Sequence, residues 1–180
     1  VSLNQRKNKL KNCSILNKAV GFRYLEAMRS VNSRCEREFT KQDAKVILVT
    51  STVKGEGKST VALNLAYSLS KSQHTVMLID GNLRSPSLYK MVEQETYDFK
   101  MDDFLEGKLK SSGAIVNLKG TRVLMLAPTM PSKDPVKQLN SEAMGNFITN
   151  AAKKVDYVII DTPRCSDLSD AAVLAKHSDG

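Results

Sequence analysis

A chain of 180 residues can bury the core of one ordinary domain, and its 27 basic against 19 acidic side chains leave it at +8. No apolar run approaches the roughly 20 residues of a membrane-spanning helix and no secretory leader is visible. Cys13, Cys35 and Cys165 with His74 and His177 form neither a disulfide framework nor a zinc-ligand spacing, so a soluble cytoplasmic protein with reduced thiols is expected.

Residues 1–20 carry Arg6, Lys7, Lys9, Lys11 and Lys18 and no acid, so +5 of the +8 sits there and +3 is left for the rest. Lacking interleaved aromatics, this arm reads as a flexible, solvated leader rather than a nucleic-acid element. The second reading is attraction to an anionic membrane face, at about 1 kcal/mol per basic residue. From Phe22 to about Phe39, the residues Phe22, Leu25, Met28, Val31, Cys35 and Phe39 recur at spacings of three and four, which predicts a helix with that face buried.

A strand predicted over Lys45–Ser51 runs directly into Gly55-Glu-Gly-Lys-Ser-Thr60 and then into a helix predicted over Ser59–Ser70. Strand, glycine-bracketed loop and helix together describe a phosphate-binding loop. Backbone N–H groups around Gly55 to Lys58 can converge on a phosphate, Lys58 can reach the β and γ oxygens, and Ser59 can ligate Mg²⁺. The first position of the loop holds Thr52 instead of the usual glycine. A glycine-rich turn without a ligand is the competing reading, and two later elements weigh against it.

The first is an apolar strand over Thr75–Asp80, which delivers Asp80 and then Arg84 at its C-terminal end. Gly107 and the cluster from Pro128 to Pro135 punctuate loops; a strand at Thr121–Ala127 and a helix at Glu142–Lys154 follow. The second is the strand Val155–Asp161, whose last residue stands where a Walker B carboxylate holds the water shell of Mg²⁺. Parallel strands gather their C-terminal ends at one edge, so Asp80, Asp161 and the loop can share a crevice. The apolar runs lack an alternating polar face. That pattern predicts an α/β fold, a P-loop NTPase-like three-layer sandwich with a mostly parallel central sheet flanked by helices.

The same residues resemble the bacterial tyrosine kinases that regulate capsule and exopolysaccharide synthesis. Thr50-Ser51 before Gly55–Thr60 is similar to that family's Walker A loop, Asp80-Gly-Asn-Leu-Arg84 with Pro86 to its Walker A′, and Ile159-Ile-Asp-Thr-Pro163 to its Walker B. Phe104-Leu-Glu-Gly107, Ala127-Pro128 and Ser169-Asp-Ala171 also match. Glu26-Ala-Met-Arg29 resembles a Glu-x-x-Arg-x-x-Arg helix that serves a ring-shaped oligomer interface.

The resemblance implies ATP and Mg²⁺ as cofactors. It implies nucleotide binding by Gly55, Glu56, Gly57, Lys58, Ser59, Thr60 and Asn82, metal binding by Ser59, Asp80 and Asp161, and catalytic roles for Lys58, Asp80, Arg84 and Asp161. Asp80 would orient or deprotonate a tyrosine hydroxyl of a neighbouring subunit, and Glu26 and Arg29 would line the subunit interface. The implied function is an ATP-dependent protein-tyrosine autokinase of polysaccharide synthesis. It would form a ring-like homo-oligomer, work with a membrane-embedded polysaccharide co-polymerase as activator, and sit in the cytoplasm at the inner face of the membrane, with no nucleic-acid partner.

Several positions depart from the family pattern. Asn82 stands where a second Walker A′ aspartate is usual; an amide keeps the shape but takes no proton and supplies no charge, a loss on the order of 10²- to 10⁴-fold if that group is a base. Lys54 and Arg164 replace prolines, and Asn32 replaces the second interface arginine. Val53 occupies the position at which partition and division-site ATPases carry an extra lysine. Family members continue past the position of Gly180 into a strand, a helix and a tyrosine-rich tail, so residues 21–180 are expected to be a kinase/ATPase domain shortened at its C-terminal end. Tyr24, Tyr67, Tyr89, Tyr97 and Tyr157 read singly as packing or surface residues. The rival functions are a catalytically impaired ATP-binding regulatory module and a positioning ATPase for DNA or division proteins.

Overall fold

Four apolar segments, each too uniformly hydrophobic to face water, pair side by side as a parallel sheet. They are β1 (Val46–Val49), β2 (Val76–Asp80), β4 (Val123–Leu126) and β5 (Tyr157–Asp161), and a two-residue β3 (Val116–Asn117) runs antiparallel to β4 at one edge. The order is β1-β5-β2-β4-β3. This computed structural model describes residues 22–92, 98, 100–166 and 169–180. The basic arm over 1–20 and Tyr97 lie outside the described residues.

Side chains alternate across the sheet, and both faces are covered. Ile47, Leu78, Met125 and Ile159 pack on one face against helix α2 (Lys58–Lys71). Outside α2 lies α1 (Phe22–Gln42). Val46, Met77, Ile79, Val158 and Ile160 fill the other face with Phe147 and Ile148 of α7 (Glu142–Ala152). Short helices complete that layer: α4 (Met101–Leu105), α5 (Ser111–Ala114), α6 (Pro135–Leu139) and α8 (Asp170–Ala175), while α3 (Leu88–Met91) buries Leu88 and Met91 in the core on the α2 side. Each fully buried Leu, Ile or Val contributes about 1.5–3 kcal/mol. The expected three-layer α/β architecture is therefore the observed one.

Register carries the functional consequence. β5 lies between β1 and β2, with Val49 paired to Asp161 and Asp80 paired to Asp161. All three parallel strands end at one level, so whatever follows them meets there. β1 stops at Val49, short of the expected Ser51: Thr50 Oγ1 donates to Pro163 O at 3.1 Å, while Thr162 donates to Val49 O from its N at 3.0 Å and from its Oγ1 at 3.1 Å. On the outer side of β1, Asp179 N donates to Val46 O and Leu48 N to Gly180 O, each at 2.7 Å. No helix among the described residues is long and apolar enough to cross a membrane.

The face of α1 differs from the one expected. Phe22 and Val31 are 74% and 43% exposed, and the inward stripe instead runs through Leu25, Met28, Asn32, Cys35 and Phe39. Because α1 touches the body mainly through α2, only a narrow stripe is covered, and Phe22 and Val31 fall on its two flanks. Asn32 replaces the second arginine of the interface pattern yet is buried in the α1–α2 seam, and neither of its amide atoms has a hydrogen-bond partner among the described residues. A buried polar group left unbonded costs about 1–3 kcal/mol. Asn32→Leu is accordingly expected to raise unfolding stability by about 1 kcal/mol or more, measured by urea denaturation; a loss of stability would show that the amide is satisfied.

Candidate phosphate-binding site

The loop after β1 has the backbone that its glycines permit. Gly55 and Gly57 stand at φ +91° and +88°, a left-handed conformation that costs other residues roughly 1–2 kcal/mol. A Cβ at either position would meet nothing within 4 Å, so the constraint is conformational and open space lies over the loop. Gly57 caps α2 without a side-chain bond. The first N–H groups of that helix have no intrahelical partner and carry the positive end of its dipole. Within the loop, Glu56 Oε2 accepts from Val53 N at 3.1 Å and Ser51 Oγ donates to Val53 O at 2.9 Å. Thr60 lies in the first turn of α2, and its carbonyl accepts from Asn64 Nδ2 at 2.8 Å.

Below the α2 N-terminus, Ser59 Oγ donates to Asp161 Oδ2 at 2.5 Å. Ser87 Oγ reaches Ser59 Oγ at 3.2 Å. Asp161 is buried, and its Oδ1 has no partner among the described residues. A buried carboxylate oxygen left open beside a serine hydroxyl and a helix N-terminus fits a hard cation. Mg²⁺ is held by one or two carboxylates with water and phosphate oxygens completing its shell, so two protein ligands suffice. Lys58 lies close enough to lower the Asp161 carboxyl pKa electrostatically, which places a cation beside the same group.

Asp80 takes a different position from a surface base. It is 0% exposed and both oxygens are engaged: Oδ1 accepts from Asn82 N, and Oδ2 from Ser87 N and Leu88 N, all at 3.1 Å. Burial and the neighbouring Asp161 push its carboxyl up to about 7 against those three stabilising N–H groups. Burial raises Asp161 to about 6, against the Ser59 hydrogen bond and Lys58. Reach to a tyrosine of another molecule is closed in this arrangement; Asp80 instead organises the turn that follows it.

The other expected site residues have side chains engaged with protein partners. Asn82 spends its side chain on that turn, donating from Nδ2 to Ser85 O at 3.0 Å and accepting at Oδ1 from Ser85 N at 3.3 Å. Arg84 makes a two-pronged contact with Asp170. Glu26 and Arg29 pair with each other at 2.5 Å on the exposed side of α1. Two residues given no role from sequence enter the site. Ser87 stands at the N-cap of α3, and serine before a short apolar run was an available signal; the contact of Asp170 with Arg84 is long-range, and only the place of Asp170 in the matching Ser169-Asp-Ala171 stretch marked it.

Comparison with known proteins bears on this arrangement. A family model described as ParA, the iron-transfer P-loop NTPase NUBPL, matches residues 42–173. Among the described residues no group of three or more His, Cys, Asp or Glu is gathered to hold a metal. Tyrosine-protein kinase CpsD of Streptococcus pneumoniae serotype 4 is 30% identical over 135 residues, 75% of this chain and 60% of its own length. Succinoglycan biosynthesis transport protein ExoP of Rhizobium meliloti is 28% identical over 161 residues, 87% of this chain and 20% of its own. The chain thus spans about three-fifths of the first relative and a fifth of the second. The kinase domain of the Escherichia coli tyrosine kinase ETK superposes with a TM-score of 0.79 at 23% identity, covering 87% of this chain and 61% of that one, which establishes likeness of fold.

The raised carboxyls give the metal-free protein a pH signature. Both lie above the ordinary 3.8, so the folded state holds protons that the unfolded chain has released. That contribution to stability is fully present near pH 4 and is lost as pH rises through about 6 to 7. The stability of Asp80→Asn relative to the unaltered chain is expected to improve steadily between pH 4 and 7 in thermal melts with chelator. A difference independent of pH would contradict the raised values.

Proposed function

This chain belongs to the ParA family of P-loop NTPases, in which it resembles bacterial tyrosine kinases over most of its length, and from that premise we propose that it is the Mg-ATP-binding domain of a protein-tyrosine autokinase of capsular or exopolysaccharide synthesis. The observation that carries the proposal is the open Asp161 Oδ1 beside the Ser59 hydroxyl at the N-terminus of α2. The names of CpsD and ExoP support the kinase chemistry and the polysaccharide setting.

Bound Mg-ATP would supply the transferable γ-phosphoryl group and the divalent charge that neutralises it. The backbone of residues 55–60 forms the cradle, and Lys58 balances the charge that develops on the terminal phosphate. Ser59 and Asp161 hold the metal, with Asp80 beneath them fixing the neighbouring turn and adding negative field. Catalysis of this kind rests on positioning and electrostatics, which suits a site built from backbone amides, one lysine and buried carboxylates. The acceptor is a tyrosine of a neighbouring subunit. The exposed Glu26–Arg29 pair on α1 supports assembly through that helix, and a membrane-embedded activator would hold the oligomer at the inner face of the membrane.

Asn82 supports a second reading, an ATP-binding module that assembles but does not transfer phosphate. Its amide donates to Ser85 O, which a carboxylate cannot do. The two readings separate on label transfer. With γ-labelled Mg-ATP and a separate tyrosine-rich peptide, the unaltered chain is expected to label tyrosine, and Lys58→Met to lose labelling with nucleotide affinity reduced by about tenfold or more, as for loss of a charge-assisted contact worth roughly 1.5–3 kcal/mol. Labelling by Asn82→Asp alone would establish the impaired module; no labelling by either would remove the kinase assignment.

A further inference from the structure

Arg84 and Asp170 form the most completely buried ion pair near the site, and nothing in the proposed chemistry uses it. Arg84 Nε donates to Asp170 Oδ2 at 2.8 Å and Nη2 to Oδ1 at 2.9 Å. The two parallel bonds give this contact geometric as well as electrostatic strength. The Asp170 side chain is 0% exposed and that of Arg84 is 39% exposed. Swinging Arg84 toward a phosphate would leave a carboxylate buried and unpaired, a change that is strongly unfavourable.

We propose that Asp170 is a positioning residue: through Arg84 it holds the turn over residues 81–87 in the shape that aims its amides at Asp80 and its Ser87 hydroxyl at Ser59. The inference rests on the nucleotide-binding reading for its purpose, but its geometry is independent of that reading. Two further contacts suspend the same turn. Gly81 N donates to Asp161 O at 2.7 Å, and Ser132 N donates to Leu83 O at 2.8 Å. A Cβ on Gly81 would stand 2.8 Å from Leu174 Cδ1 and 2.9 Å from Asp161 O, so the turn lies flat against α8 and β5. Asp170 and Leu174 are one helical turn apart on α8, and they hold the middle of this segment, Arg84, and its start, Gly81. Helix α8 in turn packs against α6 and β1, which makes it a fixed support.

Arg84 is therefore a strut and not a phosphate ligand, and the carboxylate that anchors it comes from the segment after β5. The three amides on Asp80, from Asn82, Ser87 and Leu88, are what the strut preserves.

Amide hydrogen exchange of the nucleotide-free protein tests this directly. In Asp170→Asn the amides of Asn82, Ser87 and Leu88 are expected to exchange about tenfold or more faster, while the cores of β2 and β5 keep their protection. The Mg²⁺ concentration needed for Mg-ADP binding should rise about 10-fold, the usual cost of disturbing an outer partner of a metal site, with metal-free ADP affinity unchanged. Arg84→Ala should reproduce both effects, and the double variant should add nothing to either. If Asp170→Asn fails to melt cooperatively, Arg84→Lys carries the test: it keeps the charge, loses the fork and should give the same exchange pattern at smaller amplitude. Unchanged exchange in the 82–88 segment would overturn the strut. So would metal-free ADP affinity lost in Arg84→Ala and retained in Asp170→Asn, because Arg84 would then touch phosphate itself. Absence of ADP binding by the unaltered chain would sink the nucleotide reading, with the exchange data still deciding the strut.

Discussion

Two carboxylates placed side by side in a dry interior organise this molecule. Asp80 and Asp161 end neighbouring parallel strands in direct register, so the fold cannot bury its sheet without also burying this pair. Such burial is costly unless each charge is met. The chain meets Asp80 with three backbone amides from one turn, and Asp161 with the first helical turn of α2 through Ser59 and Lys58. One oxygen of Asp161 is left over. That remaining acceptor is what the proposed site would offer to a cation beside a phosphate.

The same constraint explains why the loops around the site are ordered in a particular sense. The turn after Asp80 is not free to follow the substrate, because its amides are committed inward, its Gly81 is pressed between Leu174 and Asp161, and its arginine is fixed to α8. The loop after β1 is different. It rests on left-handed glycines with open space above, and the side chains of Glu56 and Ser51 both bond to the Val53 backbone of the same loop. One side of the crevice is therefore held by buried contacts, and the other lies open above its glycines. A positioned electrostatic site needs both properties.

Asn82 shows how a departure from a family pattern can be absorbed. Read against the family, it is a missing carboxylate; in the folded chain it is a turn residue whose amide closes on Ser85 from both ends. The carboxylates that end the neighbouring strands, Asp80 and Asp161, are both buried. Arg84 makes a similar point, since a residue to which the resemblance assigns a catalytic role is held by a buried partner 86 positions later.

Much of this was legible in the chain itself. Gly55, Gly57, Lys58 and Ser59 are neighbours in sequence, and a loop whose chemistry is carried by consecutive backbone groups is specified locally. Asp161 at the end of an apolar run could be placed because parallel strands finish at a common edge, and the α/β alternation followed from runs without a polar face. The stripe of α1, the short β3, the enclosure of Asp80 and the Arg84–Asp170 pair were not legible. Periodicity marks which residues are apolar but not how wide a neighbour covers them, so Phe22 and Val31 were expected inside and lie outside. Two residues of strand carry no period. The sequence by itself determined the phosphate loop, the carboxylates at the strand ends and the class of fold, because each depends on residues close together or on the repeat of a single element. Only the tertiary structure decided which charged groups remain open and which are spent on one another, because pairing across a buried core depends on strand order and helix packing, distances that no local pattern encodes.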